Sequence, residues 1–334
     1  MRSAAGITRI MRTTNADHVH IVLNPAAGAG AGRRVRVELE EALNARGVDY
    51  RIEETRGRGN AVDLAAAAAA AGAPVVASVG GDGTAHEVVN GLLAAGTQPP
   101  RLALIPVGTG NDFVKMLGGG GRRAAYDALA AGTSRPIDVG IASWEGGREV
   151  FLNSAGTGID VEVVRHMERM RGLPGGLVYL LALLRALVSY RPVPLSITVD
   201  GRELPTARIM MAAVSNGRCV GGSFRLSPEA HVDDGLLDLC RVDALGALAS
   251  LRLTARIRQG THTDHSAVTT RRGRVFVLRS EGPGPFHVQL DGEVRVAVGG
   301  RVTIETHPAA LDVMAPGPVP GQVNMDSTVT RARS

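Results

Sequence analysis

From His18 to Leu117, short apolar runs alternate with segments of helical period. "HVHIVLNPAAGAGAGRRVRVELEEALNARGV" reads as strand, glycine-rich loop and helix. "YRIEETRGRGNAVDLAAAAAAAGAPVVASVGGDGT" reads as a second strand, a loop, an alanine-rich helix and a third strand. In "AHEVVNGLLAAG", Val88, Val89, Leu92 and Leu93 fall at the spacing of a buried helix face. "RLALIPVGTGNDFVKML" gives a further strand, a turn, and a helix starting at Asn111 and Asp112. Strands alternating with helices predict a parallel, doubly wound, Rossmann-like α/β sheet. Such sheets bind ligands beyond the carboxyl ends of their strands. The glycine-bearing turns at Asn24, Gly80 and Pro106 should therefore line one edge, which is the candidate site.

From about Pro136 the pattern changes to short β-like runs separated by turns, among them "RPIDVGIAS", "LSITVDG", "RVFVLRS" and "RVTIETH". This predicts a second domain rich in antiparallel strands, a β-sandwich-like unit. Two helical stretches interrupt it: residues 161–171 continuing to 190, and residues 245–258. Residues 179–190 read as a core helix whose partly exposed apolar face can approach lipid. At 334 residues the chain suits two domains. The expected division is a flexible leader at 1–17, a nucleotide-binding domain at 18–137, a β-rich domain at 138–306, and a return segment with a disordered tail at 307–334. Met11 is an alternative start.

Composition narrows the function. The formal charge is +5, carried by arginine, with Lys115 the sole lysine. A basic surplus suits nucleotide phosphates, an anionic membrane surface or nucleic acid. Nucleic acid is disfavoured, because the chain has no basic helix, zinc-finger spacing or series of stacking aromatics. A P-loop needs Gly-Lys-Ser/Thr and a protein kinase needs a strand lysine and an HRD loop; none of these is present. Cys219 and Cys240 lack CxxC spacing and fit reduced, buried thiols of a cytoplasmic protein. The longest apolar stretch, "GGLVYLLALLRALVSY", is interrupted by Arg185 and falls short of the roughly 20 residues of a spanning helix. The first residues carry arginines but no h-region, so no secretory signal is expected.

Several motifs carry chemistry. "NPAAGAGAGRR" has GxGxG-like spacing, a weak signal alone. "GGDGT" is more specific: glycines let the backbone approach a polyphosphate, and free amides at a helix start attract its charge. An acid there repels phosphate unless a cation intervenes, so Asp82 either recruits Mg²⁺ or serves as a helix cap. In "PVGTGNDF", Gly108 and Gly110 open a turn and Thr109 offers a hydroxyl. "DDGLLDL" and "LDGE" alone read as β-turns. His18 and His20 alternate on a strand and read as structural, and His262 and His265 of "THTDH" as a solvated loop.

In their order and spacing, "NPAAGAG", "ETRGRGNAVDLA", "VGGDGTAHEVVNGL", "PVGTGNDF", "NSAGTGID", "SNGRCVGGSFRLSPEAHVDDGLLDL" and "LDGE" are together specific. The chain resembles the diacylglycerol kinase catalytic family, in its bacterial soluble lipid kinase branch, over about residues 18–306. That branch is related to sphingosine and ceramide kinases. The resemblance implies transfer of the γ-phosphoryl of ATP, with Mg²⁺, to a lipid hydroxyl, diacylglycerol first, giving phosphatidic acid. It implies nucleotide contacts at Asn24, Pro25, Gly28, Thr55, Gly81, Asp82, Gly83, Thr84, Glu87, Thr109, Asn111 and Asp112. It implies a structural Mg²⁺ site at His231, Asp234 and Leu236, the first and last through main-chain carbonyls. Catalysis falls to Asp291 or Glu293 as base, with Asp82. The chain departs from the family at Ala85-His86, where Val-Asn is common, which leaves the contact with base or ribose open. Other lipid acceptors (sphingoid, phosphatidylglycerol or glycolipid), NAD phosphorylation, and a non-catalytic binding protein are the alternatives. A cytoplasmic enzyme, peripheral at the inner face of the plasma membrane, without nucleic acid and possibly homodimeric, is the expectation.

Overall fold

The computed structural model describes residues 18–315, except 97, 109, 119–120, 171–174 and 223. The expected leader, most of the expected tail and Thr109 lie outside the described residues.

The first half runs β1 (Val19–Leu23), α1 (Ala27–Asn44), β2 (Tyr50–Glu54), α2 (Asn60–Ala70), β3 (Val75–Gly80), α3 (Asp82–Ala94), β4 (Arg101–Pro106) and α4 (Gly121–Ala131). The strands pair in parallel in the order β4-β3-β1-β2. β1 and β3 are buried along their whole length, as helices cover both faces. Alternate residues point to opposite sides. Val22, Val76 and Leu102 pack on α2 and α3, whereas Ile21, Ala77 and Ile105 pack on α1 and α4. The alanine-rich α2 comes very close to α3: a Cβ at Gly91 would lie 2.3 Å from the Val62 carbonyl oxygen. No α-helix begins at Asn111. Left-handed backbone at that residue (φ 49°) breaks the chain before a short 3-10 turn at Val114–Leu117.

The second half runs β5 (Ser134–Glu145), β6 (Gly147–Phe151), β7 (Ser154–Gly158), α5 (Ile159–Arg169), α6 (Gly175–Ser189), β8 (Val193–Val199), β9 (Arg202–Ser215), β10 (Leu237–Asp243), α7 (Ala247–Gln259), β11 (Val268–Gly273), β12 (Val275–Ser280), β13 (Phe286–Leu290) and β14 (Glu293–Met314). Its pairings are antiparallel. The succession β9-β8-β12-β14-β13-β7 returns to β9 and closes around Phe151, Leu195, Ile197, Phe276 and Ile304. The long β9 and β14 each serve both layers of this sandwich.

The two halves share one sheet. β5 leaves the first domain and β14 returns beside it, until Val313 pairs with Leu102 of β4. Asp138 pins this crossing. Its buried carboxylate accepts the amides of Gly235 (2.6 Å) and Ala309 (2.8 Å), and its own amide donates to the Val232 carbonyl (2.6 Å).

Two further expectations differ from the structure. The helical stretch expected from 161 to 190 is two helices, α5 and α6. α5 stops at Met170, whose backbone (φ −106°, ψ 30°) has left helical geometry, and α6 begins at Gly175. His262 is fully buried rather than solvated: its Nε2 meets the Leu226 carbonyl at 3.1 Å and Cys240 Sγ at 3.7 Å. Among the described residues, no helix is long and apolar enough to cross a membrane.

Candidate active site

The parallel strands bring three loops to one edge. After β1, Asn24 donates its amide to the Val79 carbonyl (2.9 Å). Its side chain accepts the Ala26 amide (3.0 Å) and donates to Thr84 Oγ1 (3.0 Å), tying the first loop to "GGDGT". Gly28, Ala29 and Gly30 follow in left-handed geometry, a main-chain concavity of the kind that suits an anion. A Cβ at Gly28 would lie 3.4 Å from the Gly108 nitrogen, so the first and third loops touch. Pro25 sits between Asn24 and that turn. Thr55 ends the strand next door, its amide on the Leu23 carbonyl (2.8 Å).

The second of the three loops opens α3, whose first amides have no helical partner and suit an anion. Asp82 turns aside from that opening. Its two oxygens accept the amides of Asn111 (2.7 Å) and Asp112 (2.9 Å) and so hold the third turn. A Cβ at Gly110 would come 2.7 Å from Asp82 Oδ2, so a side chain there would push the carboxylate off these amides. Asp112 in turn accepts Lys115 Nζ (2.9 Å) and the amide of Gly222 (2.9 Å) from the second domain. Glu87 reaches back to the amides of Gly59 (2.8 Å) and Ala61 (3.2 Å), fixing the loop after β2 at the start of α2.

The second domain adds "LDGE". Asp291 and Gly292, both at positive φ (49° and 89°), form the two-residue turn between β13 and β14. The Asp291 carboxylate is buried and accepts four donors: the amides of Leu152 (2.8 Å), Asn153 (2.8 Å) and Ser154 (3.0 Å), and His86 Nδ1 (3.1 Å). Glu293 lies over Gly83 of the phosphate loop, 3.6 Å from where a Cβ would stand, and pairs with Arg58. Arg58 and His86 carry no motif signal for these contacts. His86 stands out only as an unusual residue between "GGDGT" and Glu87.

The carboxylates crowd one another. Burial, then the charges of Asp112 and Asp291, push Asp82 up to about 6. A divalent cation relieves such crowding and suits oxygen donors. Among the described residues, no three His, Cys, Asp or Glu side chains converge to ligate an ion directly. Mg²⁺ characteristically keeps several waters and takes one or two carboxylates with substrate phosphates, so the acids at this edge fit it in that mode.

The other expected metal position looks different. Asp234 accepts the Leu236 amide (3.1 Å) and pairs with Arg272, while the His231 side chain is exposed. Arg272 already neutralises Asp234. Beside it, burial pushes Asp238 up to about 6, and its Oδ2 has no partner among the described residues.

A cavity enclosing about 620 Å³ of empty space, its open mouth included, lies under α5, α6 and α7. Leu183, Met210, Phe224, Leu253 and Ile257 line it. Asp160 gives it one polar end, and burial pushes that carboxyl up to about 7. Asp160 meets Gln289 Nε2 (3.3 Å), and Gln289 Oε1 accepts the amide of Gly292 (2.8 Å). The cavity's polar end is thus two hydrogen bonds from the "LDGE" turn.

Breaking the Asp82 clasp should cost stability. Asp82→Asn leaves one buried amide without an acceptor, worth about 1–3 kcal/mol. Gly110→Ala disrupts the same contact, so the double variant should be little worse than either single one in urea unfolding. Fully additive losses would show that Asp82 does not hold the third turn.

Comparison with known proteins places this architecture. Residues 18–142 match the diacylglycerol kinase catalytic domain, and residues 153–315 match the YegS C-terminal NAD kinase beta sandwich-like domain. A Mycobacterium tuberculosis protein named "Diacylglycerol kinase" is 33% identical over 92% of this chain and 97% of its own length. A Bacillus subtilis "Diacylglycerol kinase" is 31% identical over 82% of this chain and 88% of its own. A Pseudomonas aeruginosa "Probable lipid kinase YegS-like" is 31% identical over 91% and 96%. In fold, the crystal structure of a diacylglycerol kinase from Bacillus anthracis superposes with a TM-score of 0.68 at 23% identity, over 91% of this chain and 98% of that one. An NAD kinase from Archaeoglobus fulgidus in complex with ATP reaches 0.51 at 16%, over 89% and 94%. A catalytic domain, a β-sandwich-like domain and these full-length relatives together show that the chain belongs to the diacylglycerol kinase family of lipid kinases.

Proposed function

We propose that this kinase transfers the γ-phosphoryl of ATP, with Mg²⁺, to the hydroxyl of a membrane lipid, with diacylglycerol as the first candidate and phosphatidic acid as its product. The observation that carries the lipid reading is the apolar cavity whose polar end, Asp160, is linked through Gln289 to the "LDGE" turn. An acyl chain fits the cavity walls, and a hydroxyl at its polar end stands near the acids of that turn.

Phosphoryl transfer rests on positioning and charge neutralisation. The first loop and the start of α3 offer amides to the triphosphate. Asp82 and Glu87 hold the neighbouring loops in place. Asp82 and Asp112 are the carboxylates that would hold Mg²⁺, through its waters, and the ion would supply neutralisation of the phosphate charge. Asp291 accepts the proton of the lipid hydroxyl at its carboxylate, which His86 and the amides of residues 152–154 hold in place. Glu293, more open than Asp291 and beside Gly83, is the competing base.

The same cavity suggests how the protein meets a bilayer. α6 and α7 roof it, and Leu180, Leu184 and Val188 expose one stripe of α6, with Leu248 and Leu251 exposed on α7. Exposed Arg185 and Arg252 flank these residues. Apolar side chains rimmed by arginine suit shallow insertion into an anionic leaflet. The reading is therefore of a peripheral protein at the membrane surface.

The deciding experiment offers labelled ATP and Mg²⁺ with diacylglycerol in mixed micelles, beside sphingosine, phosphatidylglycerol, a glycolipid and NAD. Labelled phosphatidic acid is expected, with Asp291→Asn slower by about 10²–10⁴-fold. Thr254→Trp, which narrows the cavity, should raise KM for lipid and spare KM for ATP. Label on NAD alone, or ATP binding without transfer to any acceptor, would overturn the reading. Separately, Leu184→Glu with Val188→Glu should weaken sedimentation with phosphatidylglycerol vesicles, and unchanged, salt-insensitive binding would contradict the docking face.

A further inference from the structure

His86 is the one buried histidine facing two carboxylates among the described residues. It sits one turn into α3, on the same face as Asp82. Its side chain is 2% exposed. Nδ1 meets Asp291 Oδ2 at 3.1 Å, and Nε2 meets Glu149 Oε1 of β6 at 2.6 Å. A neutral imidazole has one donor and one acceptor nitrogen. In the neutral form, one of these two contacts would set a lone pair against a carboxylate. Both are satisfied only when both nitrogens carry hydrogen.

The surroundings balance that charge. Arg295 of β14 grips Glu149 with two hydrogen bonds (2.7 and 2.6 Å). Arg295, Glu149, His86 and Asp291 thus alternate in sign along one chain that runs from the half-exposed Arg295 to the buried His86 and Asp291, the pairing that buried charges require. The other charged groups nearby are Asp82 and Glu87 on α3, both engaged with loop amides, and the Arg58–Glu293 pair beside the turn. One turn further on, Asn90 donates to the Val150 carbonyl (2.9 Å) and accepts its amide (2.8 Å), docking α3 against β6.

We propose that His86 is a positioning residue: a pin from α3 of the first domain that holds the Asp291 turn and β6 of the second domain in register with the phosphate loops. It touches no substrate. It fixes where the Asp291 carboxylate stands, and its charge balances that acid together with Glu149. Burial opposes the charge, but the hydrogen bonds and charges of Asp291 and Glu149 outweigh it and push His86 up to about 9. The folded value lies above the ordinary 6.5, so the pin's stabilisation is complete below about 6.5 and is lost as pH rises through about 9.

The kinetic readout of this proposal rests on the lipid kinase reading; the titration readout does not. In labelled protein, the His86 imidazole should titrate near 9. Glu149→Gln removes one of its two carboxylate partners and should lower that value by about one unit or more. With diacylglycerol and ATP, His86→Asn and His86→Gln should lose kcat by roughly 10- to 100-fold while KM for ATP stays within about twofold. They should also lack the wild type's alkaline fall in rate. An imidazole titrating at or below 6.5, or a His86→Asn enzyme with wild-type kcat and the same alkaline limb, would overturn the pin. Should the His86 variants fail to fold, the Glu149→Gln titration decides. A wild type that phosphorylates no lipid while His86 titrates near 9 would sink the kinase reading and uphold the pin as an interdomain contact.

Discussion

A buried carboxylate must be paired, and this molecule meets that requirement with the main-chain amides of other segments. Asp82 takes the amides of residues 111 and 112, Glu87 those of 59 and 61, and Asp138 those of 235 and 309. Asp112 takes that of 222, and Asp291 those of 152, 153 and 154. Charge-assisted bonds of this kind are about twice as strong as neutral ones. Several of these bonds fix loop backbone that has no regular structure of its own, at Gly59, Asn111, Asp112, Asn153, Gly222 and Gly235. The loops at the ligand edge are therefore set by acids rooted in helices and tight turns, not by their own packing.

The same constraint joins the halves. Asp112 crosses from the first domain to Gly222, and His86 crosses to Asp291 and Glu149. β5 and β14 run between the domains as paired strands, with Asp138 at their bend. A site shared by two domains needs its parts in register, because misplacement of about an ångström is enough to cost catalysis heavily. Polar clasps add register to a shared apolar core, in which Val88, Val89 and Phe113 of the first domain lie in one cluster with Val150, Leu152 and Val232 of the second.

Much of the framework was legible from residue pattern. Fully apolar runs ending in glycine turns announced parallel strands, and the turns after Leu23, Gly80 and Pro106 do meet at one edge. Asp291-Gly292 was recognisable as a hairpin turn because that pair suits two positive φ angles. The pairing of acids with amides was not legible, since any loop has amides and periodicity does not say which acid reaches them. Arg58 and Glu293 lie 235 residues apart, and nothing local marks their contact. "THTDH" looks polar throughout, yet its turn tucks the His262 imidazole against the Leu226 carbonyl. The run through 190 looks continuous because apolar spacing persists along it, yet the backbone of Met170 leaves helical geometry and ends α5.

The claim that acids set these loops before any ligand arrives is tested most directly by amide hydrogen exchange on the free protein. The amides of Gly59, Ala61, Asn111, Asp112, Gly222 and residues 152–154 should exchange slowly, like those of the sheet, although several lie in loops. Exchange as fast as in exposed turns, slowing only when nucleotide is added, would mean that the ligand rather than the carboxylates builds the site.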